Sequence, residues 1–192
     1  MSSIVISGDT SGAVTVAAPA VAGTNTLTLQ AATATSSVNT RATAVASTSG
    51  TSIDFTGLPS WIKRITVMYA GVSTNGTSTL ILQLGTSSGV VTSGYVGAMS
   101  YDAGRAIYTT GIGIHNNASA SGIGNGTTQV SLLGSNTWVG SGTVGCTGAG
   151  TGETYSSGSY IALGGTLDRV RITTVGGTDT FDAGSVNILY EG

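Results

Sequence analysis

Leu167-Asp-Arg-Val-Arg-Ile-Thr-Thr-Val-Gly-Gly-Thr-Asp-Thr-Phe-Asp-Ala-Gly-Ser-Val-Asn-Ile-Leu-Tyr190 is the stretch whose reading decides the fold class. Val170, Ile172 and Thr174 alternate with Arg169, Arg171 and Thr173 before Gly176-Gly177. Val186, Ile188 and Tyr190 alternate with Ser185, Asn187 and Leu189 after it. Alternation with period two puts one face of a strand in a core, so the stretch predicts two strands joined as a hairpin. Asp179, Asp182 and Gly184 between the runs read as turn chemistry rather than metal ligands. The segment Trp61-Ile-Lys-Arg-Ile-Thr-Val-Met-Tyr69 repeats the pattern, with Ile65, Val67 and Tyr69 on one face, and is the expected partner of that hairpin.

Composition extends this reading to the whole chain. Of 192 residues only 7% are charged, against about a quarter in an ordinary soluble domain, while 40% are hydrophobic and 31 are glycine. Apolar content of that size in clear alternation supports a packed core rather than disorder. Helix formers are scarce and Thr, Val, Ile and Tyr recur between Gly, Ser and Asn clusters. The expected fold is therefore all-β, a jelly-roll-like antiparallel β-sandwich of roughly eight to ten strands. Six basic residues scattered through a chain of net charge −2 give no footprint for nucleic acid. Cys146 stands alone, so no intrachain disulfide forms and no cysteine cluster binds zinc. The chain shows neither a signal peptide nor an apolar run of about 18 residues, so no membrane span is expected.

Taken in order, residues 1–48 differ from residues 49–192. Ile4, Val5 and Ile6, then Val14 and Val16, then Leu27 and Leu29 form short strand-like pieces. Three such pieces bury little by themselves, so they form a short extended N-terminal β segment that gains stability on another surface, which makes it an attachment candidate. Residues 30–50 read as an Ala, Thr and Ser connector. The sandwich strands follow at 53–55, 63–70, 78–85, 89–98, 129–133, 137–140 and 160–163. Leu80, Leu82 and Leu84 supply an aliphatic inner face, and residues 101–126 hold the longest loops.

Motifs for chemistry are weak. Gly122-Ile-Gly-Asn-Gly126 lacks the following helix that a phosphate cradle needs. His115, the only histidine, sits beside Asn116 and Asn117 and reads as an exposed loop histidine rather than a triad base. Asp102, Glu153 and Asp168 would need specific separations to act as a glycosidase pair. Tyr95, Tyr101, Tyr108 and Tyr155 stand in or beside the expected loops, where rings and hydroxyls suit a sugar or a protein interface. Tyr101, Tyr108, His115 and Tyr155 are accordingly the candidate partner or glycan contacts. Asn75-Gly-Thr77, Asn117-Ala-Ser119 and Asn125-Gly-Thr127 fit the glycosylation pattern by composition alone. No cofactor or metal site is indicated.

Gly50-Thr-Ser-Ile-Asp-Phe-Thr-Gly-Leu-Pro-Ser-Trp-Ile-Lys-Arg-Ile-Thr-Val67, the run from Leu167 to Val175, and Gly177-Thr-Asp-Thr-Phe-Asp-Ala-Gly-Ser-Val-Asn-Ile-Leu-Tyr-Glu191 resemble a recurrent C-terminal module of bacteriophage tail-fibre and head-fibre type virion proteins. Ser7-Gly-Asp-Thr-Ser-Gly12 through Leu29 is similar to segments found in that setting, while residues 95–165 carry no part of the resemblance. The resemblance implies a non-enzymatic virion appendage. It would be a homotrimer whose β-rich head stands on a slender attachment region. The leading reading is then a protein anchored to capsid or tail proteins by the residues before about Ser49, with the sandwich projecting toward host-surface glycan. Two other readings stay open: a polysaccharide-depolymerising hydrolase of the virion, and a cellular lectin-like domain.

Overall fold

The structure is a computed structural model describing residues 3–7, 13–17, 38–102, 104–116, 119–148 and 152–192. The chain divides into two compact units, Met1–Ser36 and Ser37–Gly192. In the first, β1 (Ser3–Ser7) and β2 (Ala13–Ala17) pair antiparallel, with Ile4 opposite Val16 and Ile6 opposite Val14. Leu27 and Leu29 lie outside the described residues.

In the second unit the strands run in chain order β3 (Asn39–Arg41), β4 (Val45–Ala46), β5 (Ser52–Phe55), β6 (Arg64–Thr74), β7 (Leu80–Thr86), β8 (Gly89–Val90), β9 (Val96–Tyr101) and β10 (Gly104–Tyr108). They continue with β11 (Ile112–His115), β12 (Ile123–Gly134), β13 (Thr137–Thr147), β14 (Glu153–Ala162), β15 (Arg169–Thr174) and β16 (Phe181–Glu191). They form two antiparallel sheets. One has nine strands in the order β10-β9-β14-β13-β12-β6-β16-β3, with β4 also on β16. The other has five in the order β11-β7-β15-β5, with β8 on β7. The chain is jelly-roll-like in that it crosses repeatedly between the sheets, as at β5 to β6 to β7 and β14 to β15 to β16.

The core lies between the inner faces. Ile65, Val67, Val130, Trp138, Val186 and Ile188 of the larger sheet belong to one buried cluster with Leu80, Leu82, Leu84, Val170 and Ile172 of the smaller. All the inward positions expected from alternation at 170, 172, 186 and 188 are fully buried. Tyr95 joins this core: the Leu84 N–H donates to its hydroxyl at 2.7 Å and the hydroxyl donates to the Val91 carbonyl at 3.1 Å.

Three expectations are revised. Residues 167–190 are not a hairpin. β15 pairs with β5 and β7 in the smaller sheet, while β16 pairs with β6 in the larger, so the Gly176-Gly177 connection spans the core. The pairing of residues 61–69 with the second half of that stretch does hold, Val67 standing opposite Ile188. Within residues 101–126 there are strands β10, β11 and the start of β12 as well as loops. Of the expected connector 30–50, residues 30–37 lie outside the described residues, and the rest belongs to the sandwich, because β3 and β4 pair with β16 and Ser47 is buried with its Oγ donating to the Ala183 carbonyl at 2.7 Å. The boundary therefore falls near residue 36 rather than 48.

Two glycines bend the large sheet. Gly71 (φ 68°) and Gly184 (φ 92°) face each other where β6 and β16 shift register, and a Cβ on Gly184 would strike the Gly71 carbonyl. The freed Gly71 N–H donates to Asn125 Oδ1 at 2.8 Å, so one of the apparent glycosylation asparagines holds a bulge. Asn75 does comparable work, its Oδ1 accepting from the Thr180 N–H at 2.9 Å, and Asp179 accepts from the Ser78 N–H at 2.9 Å, as turn chemistry requires.

Candidate functional site

The four residues singled out as contacts do meet, but mostly inside the protein. Tyr101 ends β9, Tyr108 ends β10, His115 ends β11 and Tyr155 lies on β14. The Tyr101 and Tyr155 rings are 5.5 Å apart and those of His115 and Tyr155 6.1 Å apart. Met99, Cys146 and Tyr155 form a small second core on which Tyr101 and Tyr108 pack. Tyr155 and His115 are buried, so neither offers a ring to a sugar. Tyr101 and Tyr108 are half-buried, and the Tyr108 hydroxyl shares a hydrogen bond with Thr79 Oγ1 at 3.2 Å.

The electrostatics of this cluster favour neutral forms. Burial drives the Tyr155 hydroxyl upward from its ordinary pKa, and its bond to Glu153 adds to this, since the hydroxyl donates to that carboxylate. Burial and the Glu153 charge raise the Cys146 thiol as well, the reverse of what an activated thiolate needs. Burial pushes His115 down to about 4. The Asn116 backbone comes near enough to oppose the shift, yet neither ring nitrogen reaches hydrogen-bond geometry with a partner. The expectation of an exposed loop histidine is overturned, because the ring lies against Gly124, where any Cβ would collide with it. Among the described residues no three His, Cys, Asp or Glu side chains are grouped to hold a metal ion. Among the same residues no helix is long and apolar enough to cross a membrane.

The exposed surface of the nine-stranded sheet went unremarked in the sequence. Cross-strand register sets Ser131, Val139, Tyr160 and Val96 side by side, and next to them Gln129, Ser141, Gly158, Ala98 and Ile107. The apolar members are open to solvent, Ile107 at 81%. Between Thr127, Gln129, Ser141 and Thr143 the short side chains leave a shallow polar cleft of about 300 Å³. The signal was present as the Ser, Thr and Gly positions that alternate with Trp138, Val144, Tyr155 and Ile161. The Ile4, Val5, Ile6, Val14 and Val16 positions all fall on the β1–β2 hairpin.

The sequence matches no protein-family model, and neither curated proteins nor solved structures include a significant match to it.

Proposed function

We propose that this chain is a bacteriophage virion structural protein, a short fibre or decoration protein that attaches through its N-terminal segment and projects its β-sandwich to meet host-surface glycan. The observation that carries the reading is the unequal division of the chain. Residues 37–192 enclose a complete two-sheet core, whereas the described residues of the first unit are one antiparallel pair of five-residue strands. The short strand-like pieces of residues 1–48 bury little by themselves, so such a segment is suited to gaining its stability from a docking surface. The resemblance of residues 50–67, 167–175 and 177–191 to virion appendage modules supports a capsid or tail protein as that surface. The homotrimer is what the resemblance implies, and the solvent-facing strip of Val139, Tyr160, Val96 and Ile107 is a surface through which copies could meet, since contiguous exposed apolar surface marks contact between proteins.

The test is incorporation. Particles assembled with tagged full-length protein should carry it, and particles assembled with residues 37–192 should not. Equal occupancy of the truncated form would move attachment to the sandwich, and absence of the full-length protein from purified particles would end the virion reading.

A further inference from the structure

We propose that the outer face of the five-stranded sheet carries a binding cleft for the terminal ring of a neutral, polyhydroxylated ligand, a single sugar residue. This inference deepens the glycan contact proposed above and rests on that reading. The cleft, about 270 Å³, lies between β7, β15, the strand end at Thr51 and Ser52, and the loops bearing Thr92 and Thr110. It falls just below the ~300–1,000 Å³ of clefts that enclose drug-sized molecules, so it suits one ring with the rest of a chain trailing into solvent.

Its polar groups are fixed before any ligand arrives. Arg171 stands opposite both Asp54 and Gln83 in register. Its Nε and Nη2 donate to the two Asp54 oxygens at 2.7 and 3.1 Å, which leaves Nη1 without a protein partner among the described residues. Gln83 is 94% buried, being 6% exposed, and its Nε2 donates to the Thr110 carbonyl at 2.8 Å. A carbonyl can only accept, so the amide orientation is settled and Oε1 is the atom left over for the cleft. Thr173, equally buried, donates to the Thr51 carbonyl at 2.8 Å and keeps its oxygen lone pairs.

The wall therefore offers one fixed donor and two fixed acceptors, all held by bonds to their neighbours. A hydroxyl group both donates and accepts, and adjacent hydroxyls on a ring satisfy this set. A carboxylate or phosphate would set acceptor against acceptor at Gln83 and Thr173, and Asp54 already neutralises the Arg171 charge that would draw it in. Val175, half exposed at the rim, supplies a small apolar surface for the ring's C–H face.

Titration of the ¹⁵N-labelled full chain with glucose, galactose, mannose, rhamnose and N-acetylglucosamine, and with glucose 6-phosphate as the anionic control, tests this. We expect at least one neutral sugar to shift the amides of Gln83, Thr110, Arg171 and Thr173 saturably in the millimolar range. Thr92→Trp, a change on the exposed rim that leaves the core alone, should weaken it by about tenfold or more. Thr173→Val should do the same by removing one acceptor. The proposal is overturned if no neutral sugar moves those amides, or if only the phosphorylated sugar does. Shifts confined to the Gln129 and Ser141 cleft would also sink it while leaving the glycan reading intact on another face. The virion role is judged independently, by whether particles carry the protein.

Discussion

His115 illustrates how much one side chain ties to solution conditions. Its pKa is about 4 in the folded protein, lowered chiefly by burial, against an ordinary 6.5 when the chain is unfolded. The unfolded chain thus binds the proton first as pH falls. Stability is fully present above pH 6.5 and is lost progressively toward pH 4, up to about 3 kcal/mol in all. The groups packed on the ring, Tyr155 and Gly124, add no charge in this range, because Tyr155 stays protonated. The wild-type melting temperature should therefore drop between pH 6.5 and 5, before most carboxylates titrate, and His115→Phe should flatten that drop. An equally steep loss in the variant would assign the acid sensitivity elsewhere.

At the scale of elements, alternation identified strands and their inward faces but not their partners. Val170 and Ile172, like Val186 and Ile188, point to the core from opposite sheets, and a period of two reads the same whether two strands are neighbours or face each other. The missed strand β11 has a different cause. Ile112, Gly113, Ile114 and His115 are buried on both faces, Gly113 beneath Met99 and Tyr108, so no polar position alternates with the apolar ones. The convergence of the four candidate contacts was not legible, since they were singled out as separate loop residues. Nor was the burial of His115 and Tyr155, because it depends on Gly124 of β12 and on Cys146 of β13, which no local pattern connects to them. Glycine roles separate in the same way. Gly177 (φ 66°) has open space around its missing Cβ, so Gly177→Ala should cost about 1–2 kcal/mol of backbone strain. Gly184→Ala adds a collision with the Gly71 backbone and should cost about 2–4 kcal/mol. Denaturant midpoints for the two variants that coincide would show that the paired bulge tolerates a side chain.

For the molecule as a whole, the decisive question is where the self-sufficient part begins. β3 and β4 cover the outer side of β16, and the closing bonds include Ala42 N–H to the Ile188 carbonyl at 3.0 Å and Ser47 N–H to the Gly184 carbonyl at 2.9 Å. Val38 and Gly192 exchange a reciprocal pair at 3.0 and 3.3 Å, tying the C-terminus to the same edge. Each such bond contributes about 0.5–1.5 kcal/mol net, and the set protects β16 from becoming an open edge that another chain can extend. Residues 37–192 should consequently melt cooperatively within about 1 kcal/mol of the full chain. Residues 48–192, which look equally reasonable on composition, should lose several kcal/mol and associate through the exposed β16 into particles larger than any that residues 37–192 form. Chemical denaturation with light scattering on the two truncations decides the matter. If the shorter one keeps the assembly size and the stability of the longer, β3 and β4 are decoration on a sheet already closed by β16, and the attachment segment can be drawn to include them.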